Sequence, residues 1–369
     1  MKILHLGPSI LPVTHTLGGA VQRRIIETAA AQAAIGEQVI VYSSDTTSGR
    51  TDYRGFEMRT VACRRNMPFR DLEFMRNAVE DLGNESVDVL HFHGLPEGCS
   101  FFKETHASKF LSFDYYIFRR GRVTPLFFAY RRMLRTFTAL LPVSEYCLSR
   151  YQAYWKMNGV PIYVLHNGVN LDQFFPDPAA GLMKKKALGI ESERVVLYVG
   201  RICEQKGTDI LIEAYRRLKQ KKTDVRLVVA GPPQQFGSSG QTELTRRIAE
   251  AGGTYLGPVE ETDLAAIYNA CDIFVMPTRS IEMFGMAALE AQACGKPVVC
   301  SYHGGLPEVV TAESGVFFPI GNVQALAESL DQLVTNSDSC RQKGIAARSN
   351  ALRFGWPRVV DQLKKIYAG

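Results

Sequence analysis

No apolar stretch in this 369-residue chain approaches the ~18 consecutive residues that span a bilayer. The longest near-apolar run, Phe137 to Val143, has the length of a strand. The eight cysteines, Cys63, Cys99, Cys147, Cys203, Cys271, Cys294, Cys300 and Cys340, include no Cys-x-x-Cys pair, so the spacing of structural zinc sites and redox motifs is missing. Several sit in apolar strand or helix patterns, where a free thiol behaves as a small hydrophobe. The reading is a reducing cytoplasm, no disulfides and a mechanism without cysteine. The first residues, Met1-Lys2-Ile3-Leu4-His5-Leu6-Gly7-Pro8, lack a charged segment followed by a small-residue cleavage site, so no signal peptide is expected. Charge of one sign is scarce too, with a net charge of +6. Residues 1–170 carry 20 basic against 15 acidic side chains, and residues 171–369 carry 23 against 22. That excess is too small for nucleic-acid binding as the main function and leaves a local basic surface in the first half.

What is present is an ordinary globular composition, 46% hydrophobic and 22% charged, which excludes a mainly disordered chain, a collagen and a coiled-coil rod. At ~150 residues per domain the length suggests two domains. Short apolar strands alternate with helical patterns throughout. The first half predicts strands at Lys2–Leu6, Gln38–Tyr42, Val87–Phe92, Lys109–Phe113, Ala139–Val143 and Ile162–His166, and helices over about Val21–Ala34, Gly98–His106, Pro125–Thr136 and Ser144–Lys156. The strand at Lys109–Phe113 is chosen over Phe101–His106 because a parallel crossover needs roughly a dozen residues. His166-Asn167-Gly168-Val169-Asn170 is turn chemistry and Phe175-Pro176-Asp177-Pro178 a breaker, which puts a domain boundary there. The pattern then restarts with strands at Val195–Gly200, Val225–Gly231, Thr254–Gly257, Ile273–Met276 and Pro297–Ser301, and helices at Thr208–Gln220 and Leu326–Val334. Continuous apolar strands separated by helices mean parallel sheets covered on both faces. The fold class is α/β, two doubly wound Rossmann-like domains facing a cleft, with ligands at the carboxyl ends of the strands.

Two segments at predicted strand ends carry chemistry. Arg279-Ser280-Ile281-Glu282-Met283-Phe284-Gly285-Met286-Ala287-Ala288-Leu289-Glu290-Ala291 follows Ile273–Met276 and Pro277. A helix starting near Phe284 would offer unpaired N–H groups to an anion. Gly285 would let a ligand approach the backbone. Glu290, four residues past Met286 and on the same face, could accept hydrogen bonds from a ribose diol, and Glu282 could reach sugar hydroxyls. The same string also fits two solvent-facing carboxylates beside a buried helix. The second segment, Gly200-Arg201-Ile202-Cys203-Glu204-Gln205-Lys206-Gly207, places Arg201 and Lys206 after a strand and before a helix, where two cations suit a diphosphate. Two surface cations in a loop are the plainer alternative.

Together these segments resemble the retaining glycosyltransferases of the family-four type, with a GT-B fold. The family's two glutamates separated by seven residues correspond to Glu282 and Glu290, with Phe284-Gly285 between them and Leu289-Glu290-Ala291 at the end. Its Gly-Arg…Lys-Gly segment is Gly200, Arg201, Lys206 and Gly207; its linker is Asn167-Gly168-Val169-Asn170; its later turn is Gly304-Gly305-Leu306-Pro307-Glu308; its N-terminal loop is Gly18-Gly19. The resemblance implies an acceptor-binding domain over 1–168, a nucleotide-sugar-binding domain over 169–353, and a helix over 354–369 crossing back to the first domain. It implies that Arg201 and Lys206 bind the donor diphosphate and stabilise its departure. It also implies that Glu290 holds the ribose, and that Glu282, with Met283, Phe284, Gly285 and Met286, holds donor sugar and phosphate, with Gly18 and Gly19 on the donor side. The reaction implied is sugar transfer from a nucleoside-diphosphate donor to an acceptor hydroxyl with retention at the anomeric carbon, without a covalent nucleophile. Family frequency points to a UDP-sugar, in particular the N-acetylglucosamine form. No Asp-x-Asp stands at a strand end in the manner of metal-dependent sugar transferases, so neither metal nor other cofactor is expected.

The N-terminal half departs from the family pattern. Where the family has a histidine at the end of the strand Lys109–Phe113, this chain has Asp114. A carboxylate at the acceptor mouth favours an amine-bearing acceptor, such as an aminocyclitol or amino sugar, or holds acceptor hydroxyls. His93, read as ending a strand that faces the cleft, joins Asp114 as a catalytic candidate, and Tyr115 and Arg119 join both as acceptor contacts. Between Tyr115 and Arg135 aromatic side chains interleave with arginines. An acceptor-pocket loop followed by an ordinary helix is favoured there, with a membrane-surface helix serving a lipid-linked or polysaccharide precursor as the alternative. A nucleotide-sugar epimerase or hydrolase, or a non-catalytic nucleotide-sugar-binding subunit, completes the range of readings.

Overall fold

The structure is a computed structural model that describes residues 1–9, 13, 19–64, 70–102, 106–113, 125–155, 159–233 and 243–369. The chain divides into two compact units, residues 1–168 with Trp356–Gly369, and Val169–Gly355. Phe354 and Gly355, expected in the returning segment, count with the second unit.

In the first unit the strands are β1 (Lys2–Leu6), β2 (Gln38–Asp45), β3 (Gly49–Tyr53), β4 (Phe56–Ala62), β5 (Val89–His93), β6 (Ser108–Phe113) and β7 (Ala139–Pro142). Their order in the sheet is β3-β4-β2-β1-β5-β6-β7, parallel except for β3, which runs antiparallel to β4. The helices are α1 (Ala20–Ala34), α2 (Arg70–Leu82), α3 (Pro125–Leu134) and α4 (Glu145–Trp155). Helix α1 is rich in alanine, the best helix former, and lays Ile25, Ile26, Ala29 and Ala30 on Val39, Val41 and Phe56. The terminal helix Trp356–Ala368 belongs to this unit. Its Trp356, Val359, Leu363 and Tyr367 close over Ile3, Val89, Phe110 and Leu141, an apolar stripe at helical spacing that the sheet face completes.

Three expectations change here. Ile162–His166 forms no strand. It touches β7 through one bridge, Leu140 with Ile162, and hydrogen bonds such as Leu165 N to the Pro142 carbonyl. Pro142 has no N–H to return, so the ladder does not propagate. The helix expected over Gly98–His106 is, among the described residues, a short 3-10 turn at Pro96–Ser100. The β3–β4 hairpin was not anticipated: its outer strand is polar and exposed, and its two-residue turn, Arg54-Gly55, has φ of 52° and 85°, the doubly left-handed turn that matches strand twist.

The second unit holds α5 (Pro178–Ala187), β8 (Arg194–Val199), α6 (Thr208–Lys221), β9 (Val225–Ala230), α7 (Glu243–Glu250), β10 (Thr254–Gly257), α8 (Glu261–Ala270), β11 (Ile273–Met276), α9 (Met286–Ala293), β12 (Val298–Ser301), α10 (Leu306–Val309), β13 (Gly315–Phe318), α11 (Val323–Thr335) and α12 (Ser337–Ala351); the terminal helix is therefore α13 (Trp356–Ala368). The sheet is parallel, in the order β10-β9-β8-β11-β12-β13. From β8 the chain winds outward through β9 and β10, then returns to β11 and winds the other way. The carboxyl ends of β8 and β11 therefore flank the switch point, where loops diverge and leave room for a ligand. Of the two segments singled out in the sequence, Gly200–Gly207 is the loop leaving β8, and Arg279–Ala291 spans most of the loop leaving β11 and the first turns of α9.

Candidate functional site

The loop after β8 is short and held at both ends. Arg201 is exposed, and its guanidinium makes no hydrogen bond or ion pair among the described residues; its carbonyl accepts the Tyr198 hydroxyl at 2.7 Å. Glu204–Lys206 forms a single 3-10 turn, closed by Gly207 at φ +75°. A Cβ on Gly207 would stand 1.8 Å from the Pro277 carbonyl oxygen, so the glycine is required twice, for its φ and for its contact. The Gln205 carbonyl accepts the backbone N–H groups of Arg279 at 2.9 Å and Ser280 at 2.8 Å, which fastens this loop to the one after β11.

Across that junction Lys206 Nζ meets Glu282 Oε2 at 2.6 Å. The Glu282 backbone is fixed from the far side. Its carbonyl accepts the Gly305 N–H at 2.8 Å, and a Cβ on Gly304 would lie 2.0 Å from the same oxygen. Gly305 lies as close to the Met283 carbonyl, so the turn Gly304-Gly305 is glycine because backbone packs on backbone. Met283 and Phe284 are buried, and Phe284 meets Phe354 edge-on at 5.9 Å. Helix α9 then starts at Met286, two residues later than expected, with Gly285 at its N-cap (φ +106°) and no side chain capping it. Glu290 is only 3% exposed, and the Tyr268 hydroxyl donates to its Oε2 at 2.8 Å. It is an inward carboxylate rather than a solvent-facing one.

The structure thus brings Arg201, Lys206, Glu282, Met283, Phe284, Gly285, Met286 and Glu290 to one edge of one sheet. Tyr198, Gln205 and Tyr268, which support them, were not anticipated. Gln205 and Tyr268 act through residues distant in sequence, Tyr198 through Arg201 three residues on, and only the polar run Thr278-Arg279-Ser280 after an apolar strand hinted at the junction.

In the first unit Gly19 is the N-cap of α1. Gly18, Asp114, Tyr115 and Arg119 lie outside the described residues. His93 ends β5 as read, but its ring is turned into the unit and is 1% exposed. His91 and His93 are two residues apart on a strand and share a face; that face is covered by α1 and α13, not open. His5 Nε2 lies 2.7 Å from Gln32 Oε1, which only accepts, so His5 Nδ1 accepts in turn from His93 Nε2–H at 2.9 Å. His91 stacks on His93 at 4.2 Å and binds the Tyr367 hydroxyl at 2.6 Å and Ser112 Oγ at 2.7 Å. Burial pushes His5 down to about 4 and holds His91 and His93 well below their ordinary range, with the Arg24 charge adding to it. Ligand nitrogens of the three rings come within 4.8 Å of one another, the spacing of a metal cluster. Yet every ring nitrogen except His93 Nδ1 already has a hydrogen-bond partner, and a guanidinium faces the group. The cluster is an uncharged hydrogen-bonded core joining β1, β5, β6, α1 and α13.

Residues 18–173 match the family described as Glycosyltransferase Family 4, and residues 183–350 match Glycosyl transferases group 1. This chain belongs to glycosyltransferase family 4 and has the GT-B fold. The chain is 38% identical over 214 residues to the D-inositol 3-phosphate glycosyltransferase of Mycobacterium leprae, a match covering 56% of this chain and 48% of that protein. The chain spans about half the length of the curated relatives it matches. Among solved structures, sucrose-phosphate synthase from Thermosynechococcus elongatus superposes with a TM-score of 0.81 at 20% identity, covering 100% of this chain and 98% of that one. The Anabaena HepE protein in complex with UDP superposes with a TM-score of 0.79 at 19% identity, over 100% of both chains. These two likenesses concern the fold.

Proposed function

We propose that this glycosyltransferase moves a sugar from a nucleoside-diphosphate donor to a hydroxyl of a small cyclitol-like acceptor, with retention at the anomeric carbon. The observation that carries the reading is the set Arg201, Lys206, Glu282 and Glu290 gathered at the switch point between β8 and β11, beside the uncapped start of α9. Two cations there suit the diphosphate, and an inward carboxylate held by Tyr268 suits a ribose diol. UDP is the favoured base, with UDP-N-acetylglucosamine as the first donor to test; the HepE structure is a UDP complex, which agrees with that choice. The cyclitol is suggested by the relatives, which are named D-inositol 3-phosphate glycosyltransferases. Asp114, Tyr115 and Arg119 are assigned to the acceptor, and Asp114 in the family's histidine position turns the preference toward an amine-bearing ring.

Catalysis rests on positioning and on stabilising the departing diphosphate, a task assigned to Arg201 and Lys206 rather than to a metal. All eight cysteines are free and buried, which supports a reducing, cytoplasmic setting. No helix among the described residues is long and apolar enough to cross a membrane. A second reading, work at a membrane surface on a lipid-linked precursor, is favoured by one feature: Phe128 is 58% exposed on α3 beside Arg131, Arg132 and Arg135. The test is turnover of UDP-sugars with inositol, inositol phosphate and aminocyclitols, with the product's anomeric configuration read by NMR. A product of retained configuration on a cyclitol supports the reading; an inverted product, or turnover only with lipid-linked acceptors, overturns it.

A further inference from the structure

Of the two cations at the carboxyl edge of the second sheet, one is already spoken for. Arg201 projects into solvent, whereas Lys206 is paired at 2.6 Å with Glu282, the residue assigned to the donor sugar. Both partners stand on fixed backbone. Lys206 precedes Gly207, which is locked against Pro277, and the Glu282 carbonyl is locked against Gly304 and Gly305. The pair is therefore a built contact between two rigid loops and not a chance meeting of long side chains. Its side chains are 22% and 19% exposed, so water screens the attraction only in part. A diphosphate that needs Lys206 must take it from Glu282.

We propose that Glu282 and the donor diphosphate exchange Lys206 during each catalytic cycle. In the empty site Glu282 holds Lys206. A nucleotide sugar offers compensation at both ends, phosphate oxygens to Lys206 and sugar hydroxyls to Glu282, and so opens the pair. After transfer the sugar is gone, Glu282 loses its hydroxyl partners and reclaims Lys206, which works against retention of the nucleoside diphosphate. The consequence is a selectivity: Glu282 opposes the bare diphosphate and favours the sugar-bearing one. This inference rests on the donor reading above.

The test is calorimetric titration of the full chain with UDP and with UDP-N-acetylglucosamine, in wild type, Glu282→Gln, Lys206→Met and the double variant; GDP, ADP and dTDP replace UDP if UDP does not bind. Glu282→Gln keeps the shape and removes the charge. It is expected to tighten UDP about threefold to tenfold, the worth of a partly screened ion pair, while leaving the nucleotide sugar no tighter. The gain should vanish in the Lys206→Met background, and product inhibition by UDP should deepen by the same factor. If Glu282→Gln does not fold, Glu282→Ala carries the same expectation for UDP. Unchanged or weaker UDP binding in Glu282→Gln, with Lys206→Met still weakening UDP, overturns the exchange and leaves the donor site standing. If no diphosphate binds, or Lys206→Met and Arg201→Ala bind it as wild type does, the donor reading falls and the exchange falls with it.

Discussion

Gly207 and Gly321 have nearly the same φ, +75° and +74°, and differ in what stands beside them. A Cβ on Gly207 meets the Pro277 carbonyl oxygen at 1.8 Å, whereas a Cβ on Gly321 meets nothing within 4 Å. Alanine at either position carries the left-handed penalty of about 1 kcal/mol. At Gly207 the backbone must also move by about an ångström or more to restore contact, because the obstacle is main chain and cannot swing aside. That movement strains the two hydrogen bonds from Gln205 to Arg279 and Ser280, each worth about 1 kcal/mol. Gly207→Ala is therefore expected to cost about 3 kcal/mol and Gly321→Ala about 1 kcal/mol. At roughly 2–4 °C per kcal/mol for a unit of this size, the melting midpoint should fall by about 6–12 °C in the first and about 2–4 °C in the second. Differential scanning calorimetry reads both. Equal shifts in the two variants would refute the argument that the junction between the two loops is a tight backbone contact.

The histidine core gives a pH dependence of defined sign. Its folded-state pKa values lie below the ordinary 6.5, so its contribution is complete above pH 6.5 and is lost as pH falls through the window toward about 4. For His5 alone the loss is about 3 kcal/mol at pH 4, and His5→Gln should flatten the melting midpoint's pH dependence between pH 6.5 and 4. Arg201→Ala or Lys206→Ala should lower kcat more than it weakens donor binding; weaker donor binding with kcat unchanged would mean that these cations hold ground state and transition state alike and add nothing to the chemical step. Asp114→Asn should weaken an amine-bearing acceptor selectively, and unchanged acceptor affinity would remove the charge argument for that residue.

The second unit was the more legible in sequence. β8, β11 and β12, and β9 apart from Arg226, are apolar runs because helices cover both sheet faces, and that pattern survives without knowledge of the partners. That Arg201, Lys206 and Glu282 would meet was legible for the same reason, since they sit just past strand ends, where spacing along the chain becomes proximity. The supporting contacts were not. Tyr268 and Glu290 are 22 residues apart on different helices, and nothing local relates them. The β3–β4 hairpin escaped because an edge strand needs no apolar face, so its polar residues read as loop. His93 was misplaced for a subtler reason. Its position at a strand end was correct, but which face it shares with His91, and that α13 covers that face through Tyr367, depend on a helix more than 260 residues away.

The central claim is that the edge between β8 and β11 holds a nucleoside diphosphate through Arg201 and Lys206. The most direct measurement is thermal unfolding of wild type and Lys206→Ala with UDP, GDP, ADP and dTDP. One diphosphate, at about 100 times its Kd, should add about 2.7 kcal/mol to wild type, and at the same concentration markedly less to Lys206→Ala. Equal stabilisation of both proteins, or none by any diphosphate, would contradict the claim.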